Sequence, residues 1–559
     1  MAKKGKKEAE SYGKDSFDPL LIESKNAATV VLMLQSPELD VILKACEAIY
    51  RYAEKGDENK AILAELGALE PISRLIKHED KPVRRSAVMV LGVISAQNDV
   101  KKYLKKMNVI PSVIELLEPE EDVVIHEFAS LCLSFLSSEP SVKVQIINED
   151  GLEPLIGLLS SADPDVKKNS LETIYNLVQV DAETRMALRE LEGLDYLIEM
   201  LGANHLIVGL DVITSCMPSG VIGDLSDLHV DALLVISNCL EDEDTMQLIQ
   251  QTGALDKLMQ FARTATLVDV QRKAVNAILR AAQNSKNKKI LHDHGVEKIL
   301  VGLLGPDNAD IRETACLAIT VMCENESSKV SFGKWGKPLV QLLQNDYGEV
   351  KEAAALALSS LTTANMNNSI AVYKARGIEP LVQLLANERE GVVAHVAAVL
   401  TNMSSQNILR SNIQAKGVMT ALVGPLQSAS SLVQSKAALA VSAFACDSEA
   451  REEFRIAGGL VALVWLLNSN INEVRRNACW AVFVCASDEP TCLEMFRLGA
   501  LEILQEINLS TCRKNNFSEA ALQKLFEGNL SIKYSLYGGL SSSDIIVDGF
   551  YDPGRVMTW

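Results

Sequence analysis

Seven histidines serve 559 residues, and only His292-Asp-His294 sets two of them close together. Two imidazoles could fill two corners of a tetrahedral zinc site, but such a site needs further Cys, His or carboxylate ligands. No cysteine stands near, and the pair falls at a junction between helical patterns. It reads as a solvated loop, and no metal is expected. His126, beside Glu127, and His395 sit inside helical patterns as packing or surface residues. The sequence contains no G-x-x-x-x-G-K-[ST], no G-x-S-x-G, no H-E-x-x-H, and no G-x-G-x-x-G opening a helix after a strand. No catalytic residue and no cofactor is expected, and the chain is read as a protein that is not an enzyme.

Eleven cysteines, an odd number with no C-x-x-C pair, lie mostly in apolar helical stretches. They read as small buried hydrophobes in a reducing compartment. The start, Met1-Ala-Lys-Lys-Gly-Lys-Lys, lacks the apolar run of a signal peptide, and no long uncharged apolar stretch follows. A cytoplasmic location without integral membrane association is expected. Net charge is −19, which argues against nucleic acid as the main partner, because a duplex binder needs a basic face.

The elements behind this composition follow from self-comparison. Gly151-Leu-Glu-Pro-Leu-Ile-Gly-Leu-Leu159 returns as Gly377-Ile-Glu-Pro-Leu-Val-Gln-Leu-Leu385 and as Gly459-Leu-Val-Ala-Leu-Val-Trp-Leu-Leu467. The anchors are Asn26, Gly67, Val109, Gly151, Gly193, Gly253, Gly295, Gly336, Gly377, Gly417, Gly459 and Gly499. Ten of the eleven steps between them are 40, 41 or 42 residues, and the remaining step is 60. Each unit predicts a glycine in the left-handed conformation, a short helix through the Leu pair and a polar turn such as Ser160–Pro164. A longer helix follows, then a third stretch running back to the next glycine. One unit cannot bury its apolar faces alone, whereas stacked neighbours can.

The fold class read from this is all-α: an armadillo-type α-α superhelix, a right-handed solenoid of about 11–12 units over residues 19–528. Residues 1–18 are read as a disordered basic amino terminus and 529–559 as an extended or flexible tail. The surplus in the long step falls at 202–223, whose glycines and proline argue against a regular helix. It reads as an inserted loop, a partner-binding loop or hinge, or the remnant of an altered repeat.

The phrase Gly-Leu-x-Pro-Leu-x-x-Leu-Leu followed by Val-x-x-x-(Ala/Ser) resembles the consensus of the armadillo repeat family. Four stretches are more specific: Val123-Val-Ile-His-Glu-Phe-Ala-Ser-Leu-Cys-Leu133, Asp163-Pro-Asp-Val-Lys-Lys-Asn-Ser170, Val433-Gln-Ser-Lys-Ala-Ala-Leu-Ala-Val441, and Leu540–Arg555. They resemble an animal branch of that family linked with sperm and motile cilia. The branch's chains continue into a further carboxyl-terminal region, so this sequence is read as a short or alternative form.

The resemblance implies a concave groove lined by the long helices, which binds protein segments. Nuclear-import members place a Trp, and an Asn four residues later, on successive long helices. The Asn bonds the peptide backbone and the Trp faces hold basic side chains. The matching positions here are Asn176, Asn238 and Asn402, and Trp480, but no repeat has both residues. The long helices also open with cations: Arg84, Arg85, Lys167, Lys168, Arg272, Lys273, Arg312, Lys351, Arg475 and Arg476. They could form a basic stripe suited to acidic extended partners, as in catenin-like members. They could equally be solvated, or pair with acids such as Glu127, Glu313 and Glu352. The function expected is a protein-binding scaffold, in the cilium or flagellum by resemblance. An importin-like cargo adaptor and a fixed component of the axoneme are the alternatives.

Overall fold

The computed structural model describes residues 26–202, 230–240, 242–265 and 268–528. The expectations for 1–18, for the irregular stretch beyond Gly202 and for 529–559 lie outside these residues. The described residues contain helices and turns and no strand.

The unit that opens at Gly151 shows why the sequence folds this way. Leu152–Gly157 is a short helix that tightens into a 3₁₀ turn at Leu158–Ser160. Asp163 ends the turn: its carboxylate accepts the amides of Asp165 at 2.9 Å and Val166 at 3.3 Å. Those amides have no partner inside the helix, and Pro164 starts it with a preset φ. The long helix Pro164–Leu177 follows. A third helix, Ala182–Glu190, begins where Asp181 accepts the Thr184 amide at 2.7 Å. The same triplet recurs as Ile378–Gln383, Glu390–Met403 and Asn407–Gln414, and as Gly459–Leu466, Asn472–Cys485 and Glu489–Arg497.

The chain divides into two compact units, one of residues 1–258 and 264–273, the other of 259–263 and 274–559. In the first, Lys81–Ile94 packs between Leu39–Ala53 and Val123–Leu136. In the second, Gly348–Thr362 packs between Ala309–Met322 and Glu390–Met403. Each seam is apolar, as Val88, Leu91, Ala354 and Leu358 illustrate, all fully buried. A leucine so placed contributes ~1.5–3 kcal/mol relative to an exposed one.

The recurrent glycines prove to have two separate causes. Gly67, Gly253, Gly295, Gly417 and Gly499 adopt φ between 72° and 81°, the left-handed conformation expected. The other five anchor glycines, Gly151, Gly193, Gly336, Gly377 and Gly459, do not, and Gly151 and Gly377 have φ of −70° and −73°. There the left-handed residue is the one before, Asp150 or Arg376. The glycine is needed because a Cβ at Gly151 would stand 2.8 Å from Ile146 Cγ2, and one at Gly377 2.8 Å from Val372 Cγ1. Close approach of two helices, not backbone freedom, selects glycine at those two positions.

Polar rungs join successive repeats along the helices that precede these corners. Lys101 Nζ donates to Ser138 Oγ at 2.9 Å and Arg410 Nε to Asp447 at 2.7 Å. Arg451, only 8% exposed, pairs with Asp488, and Lys288 pairs with Glu324. No described helix is long and apolar enough to cross a membrane.

Candidate protein-binding face

Within each unit the long helices lie side by side. The residues they turn away from the core are set by the 100° step of the helix. The cations predicted at their starts divide into two groups on this basis. Arg84, Arg312 and Arg475 fold back over the turn that precedes their own helix. Arg84 Nη1 donates to the His78 carbonyl at 2.8 Å, Arg312 Nη2 to that of Gly305 at 3.1 Å, and Arg475 Nη1 to that of Ser469 at 2.8 Å. Arg84 also pairs with Glu121 of the next repeat at 2.6 Å, Arg312 with Asp307 at 3.1 Å, and Arg475 Nε donates to the Arg513 carbonyl. Arg475 is 3% exposed. His126 Nε2 and Gln434 Nε2 occupy the same repeat position and meet the carbonyls of Glu118 and Ser428. This position therefore closes turns: loop carbonyls at a helix start need donors, and an arginine fork supplies several.

One residue further on, the helix phase points outward. Arg85, Lys168 and Arg476 are exposed. Lys167 and Lys351 are half-buried. Arg272 is half-buried and pairs with Asp269 at 3.1 Å; Lys273 is half-buried as well. Acids interrupt the cations in the second unit. Arg389 bridges Glu349 at 2.9 Å and Glu352 at 3.0 Å. Beside them, burial and the carboxylates of Glu349, Asp310 and Glu352 push Glu313 above the usual range, against the pull of Arg389.

The asparagines reach across to the neighbouring long helix. Asn176 Nδ2 donates to Ser137 Oγ at 3.0 Å. Asn402 Nδ2 lies 3.1 Å from the Ser359 carbonyl, Thr362 Oγ1 and Thr363 Oγ1. Asn238 is buried, at 6% exposure. Trp480 is half-buried, its ring 4.6 Å from that of Phe517 and 5.6 Å from that of Phe483. Phe517 immediately precedes the closing helix Ser518–Glu527, so the indole is part of the end of the array.

Sequence reasoning missed a row of aliphatic side chains where import adaptors carry Trp. Met89 and Leu131 in the first unit, and Leu317, Leu356 and Leu439 in the second, are each half-buried at that repeat position. Aligning the long helices from their N-caps would have found it, since each of these residues lies nine positions after its cap.

Burial pushes the thiols of Cys46, Cys132, Cys316 and Cys485 up to about 12, so they stay protonated at neutral pH. His292 Nδ1 lies 2.7 Å from Glu297 Oε1. Among the described residues no three His, Cys, Asp or Glu side chains are grouped to hold a metal ion.

The model of the armadillo/beta-catenin-like repeat matches residues 139–179, 365–405 and 447–486. The chain belongs to the armadillo repeat family. It is similar to human Armadillo repeat-containing protein 3, with 53% identity over 597 aligned positions that take in 100% of this chain and 66% of that protein. Xenopus laevis junction plakoglobin is 20% identical over 313 positions, 56% of this chain and 40% of that protein. The chain thus spans 66% of the length of the first relative and 40% of the second. Among solved structures, an engineered protein matches with TM-score 0.64 and 25% identity, over 75% of this chain and 99% of that one. A structure described by a conserved phosphorylation switch controlling the interaction between cadherin and beta-catenin matches with TM-score 0.59 and 14% identity, over 90% and 99%. At that identity the match shows the fold.

Proposed function

We propose that this chain is a non-enzymatic scaffold that holds extended segments of other proteins along the long-helix faces. The observation that carries the reading is the aliphatic row that is not fully buried, Met89 and Leu131 in one unit and Leu317, Leu356 and Leu439 in the other. Exposed Arg85, Lys168 and Arg476 occupy the same face. Apolar side chains left at a solvent face favour an apolar partner, and outward cations favour one that is also acidic. The solved structure concerned with the interaction between cadherin and beta-catenin shares the fold, which supports a protein-binding reading. The family resemblance supports a setting in motile cilia or sperm flagella.

The test is a comparison of proteins captured by the whole chain from ciliated cells with those captured by Leu317→Glu/Leu356→Glu and by Arg85→Glu/Arg476→Glu. Loss of the same partners in both variants is expected. An unchanged partner set in both would remove the long-helix face as the binding surface. An acidic extended peptide should bind more tightly than a basic import signal, and the reverse order would favour the cargo-adaptor reading.

A further inference from the structure

The first unit carries two adjoining clefts, lined by none of the aliphatic row or the outward cations of the long helices. The larger, about 860 Å³, lies between the end of Ile110–Glu115 with its following turn and the short helix Leu152–Gly157. The smaller, about 470 Å³, lies between Pro140–Asn148 and Ala182–Glu190. They meet at the corner Asp150–Glu153, which lines both.

Two features distinguish this pair. The walls are partly apolar and open to water: Val144 is 45% exposed and Leu191 36%, with Pro111 and Pro154 in the larger cleft. The rims carry the exposed carboxylates of Glu115, Glu118, Glu149, Asp150, Glu153 and Glu183. None of the six makes an ion pair among the described residues, and no Lys or Arg lines either cleft, although the chain has 54 of them. Asp181 also lines the smaller cleft, but its carboxylate is engaged with Thr184. His126, in the larger cleft, is held by the Glu118 carbonyl.

An apolar surface bordered by uncompensated negative charge selects a particular occupant. Aliphatic side chains gain by leaving water against Val144 and Leu191, and long cationic side chains can reach the rim while their stems stay on apolar surface. Like-charge repulsion excludes acidic segments, so the occupant differs in kind from the acidic one suited to the long helices. We propose that this double cleft is a second interaction surface, which takes a basic amphipathic segment of another protein: an apolar stripe flanked by Lys and Arg. The two surfaces would let one molecule join an acidic partner segment to a basic one.

The probe is a fluorescein-labelled amphipathic peptide of eighteen residues with Leu along one helical face and Lys elsewhere, titrated into the whole chain. Two control peptides replace every Lys by Glu, or every Leu by Ser. Glu118→Lys/Glu149→Lys/Glu153→Lys should weaken the basic amphipathic peptide by about tenfold or more at physiological salt. Glu65→Lys/Glu452→Lys/Glu502→Lys changes net charge equally at other exposed sites and should weaken it less than about twofold. Both variants are surface changes, and circular dichroism checks that they fold. Equal weakening by the two variants, no weakening by either, or equal binding of the Ser peptide would overturn the proposal. So would tenfold tighter binding after Lys3, Lys4, Lys6 and Lys7 are changed to Gln, because the chain's own amino-terminal lysines would then be the occupant.

Discussion

The consecutive glycines Gly458 and Gly459 provide a sharp test of the two causes assigned to glycine. Gly458 has φ of 75°, and a Cβ there would meet nothing within 4 Å. Gly459 is buried at the start of its helix, and a Cβ there would lie 2.2 Å from Phe454 Cε2, 2.4 Å from Cδ2 and 2.5 Å from Cζ. Phe454 is fully enclosed, so its ring cannot swing into solvent. Alanine at 458 suffers only the left-handed backbone, about 1–2 kcal/mol, and asparagine less, because it tolerates that conformation. Alanine at 459 forces three ring atoms apart in a packed core, about 1–3 kcal/mol and toward the upper end. The remedies differ as well. Phe454→Leu removes the ring, so Gly459→Ala combined with Phe454→Leu should cost less than the sum of the single changes by about 1 kcal/mol. Gly458→Ala should show no such coupling. Urea unfolding followed by circular dichroism and by the fluorescence of Trp465 and Trp480 measures all of these. A Gly458→Asn loss as large as that of Gly459→Ala, or strict additivity of the 454 and 459 changes, would refute the assignment.

Arg475→Ala should lower stability by about 1–3 kcal/mol, because it strips donors from the Ser469 and Arg513 carbonyls, whereas Arg476→Ala should stay within about 0.5 kcal/mol; thermal melting separates them. Asp488 makes stability depend on pH. Burial alone would raise its carboxyl, but the Thr491 hydroxyl, the Arg451 guanidinium and the Thr491 amide outweigh that and hold it below the usual range. A depressed folded value means stability present above the unfolded value, about 3.9, and lost as pH falls through the folded one. Asp488→Asn should therefore destabilise the protein at pH 7 and progressively less as pH falls below about 3.9, and a difference constant with pH would contradict the role. Asn402→Ala should cost about 1 kcal/mol by urea titration through the lost bonds to Ser359, Thr362 and Thr363, and Asn176→Ala less, having one such bond.

The repeat was legible because stacking demands units of nearly constant length, and a 41-residue rhythm survives even where residue types drift. Turn chemistry was legible too: Asp163-Pro164 marks a helix start whatever surrounds it. The corner glycines were legible as glycines but not by cause, since Gly151 and Gly67 look alike in sequence and only the neighbouring helix tells them apart. The groove was the least legible part. Arg84 and Arg85 are adjacent and alike in type, yet one helical step sends the first onto the His78 carbonyl and leaves the second exposed. Asn176 and Asn402 match a peptide-binding pattern in spacing, but spacing does not reveal that a neighbouring hydroxyl or carbonyl stands within reach.

The packing of Phe517 and the helix after it ties that helix to the long helix Asn472–Cys485. The helix Ser518–Glu527 packs against the long helix Asn472–Cys485, Phe517 meets Trp480, and Asn515 approaches the Cys479 sulfur at 3.6 Å. Peeling this helix away would bare the indole of Trp480 and the apolar side chains around Cys479 to water, so the two helices should unfold together.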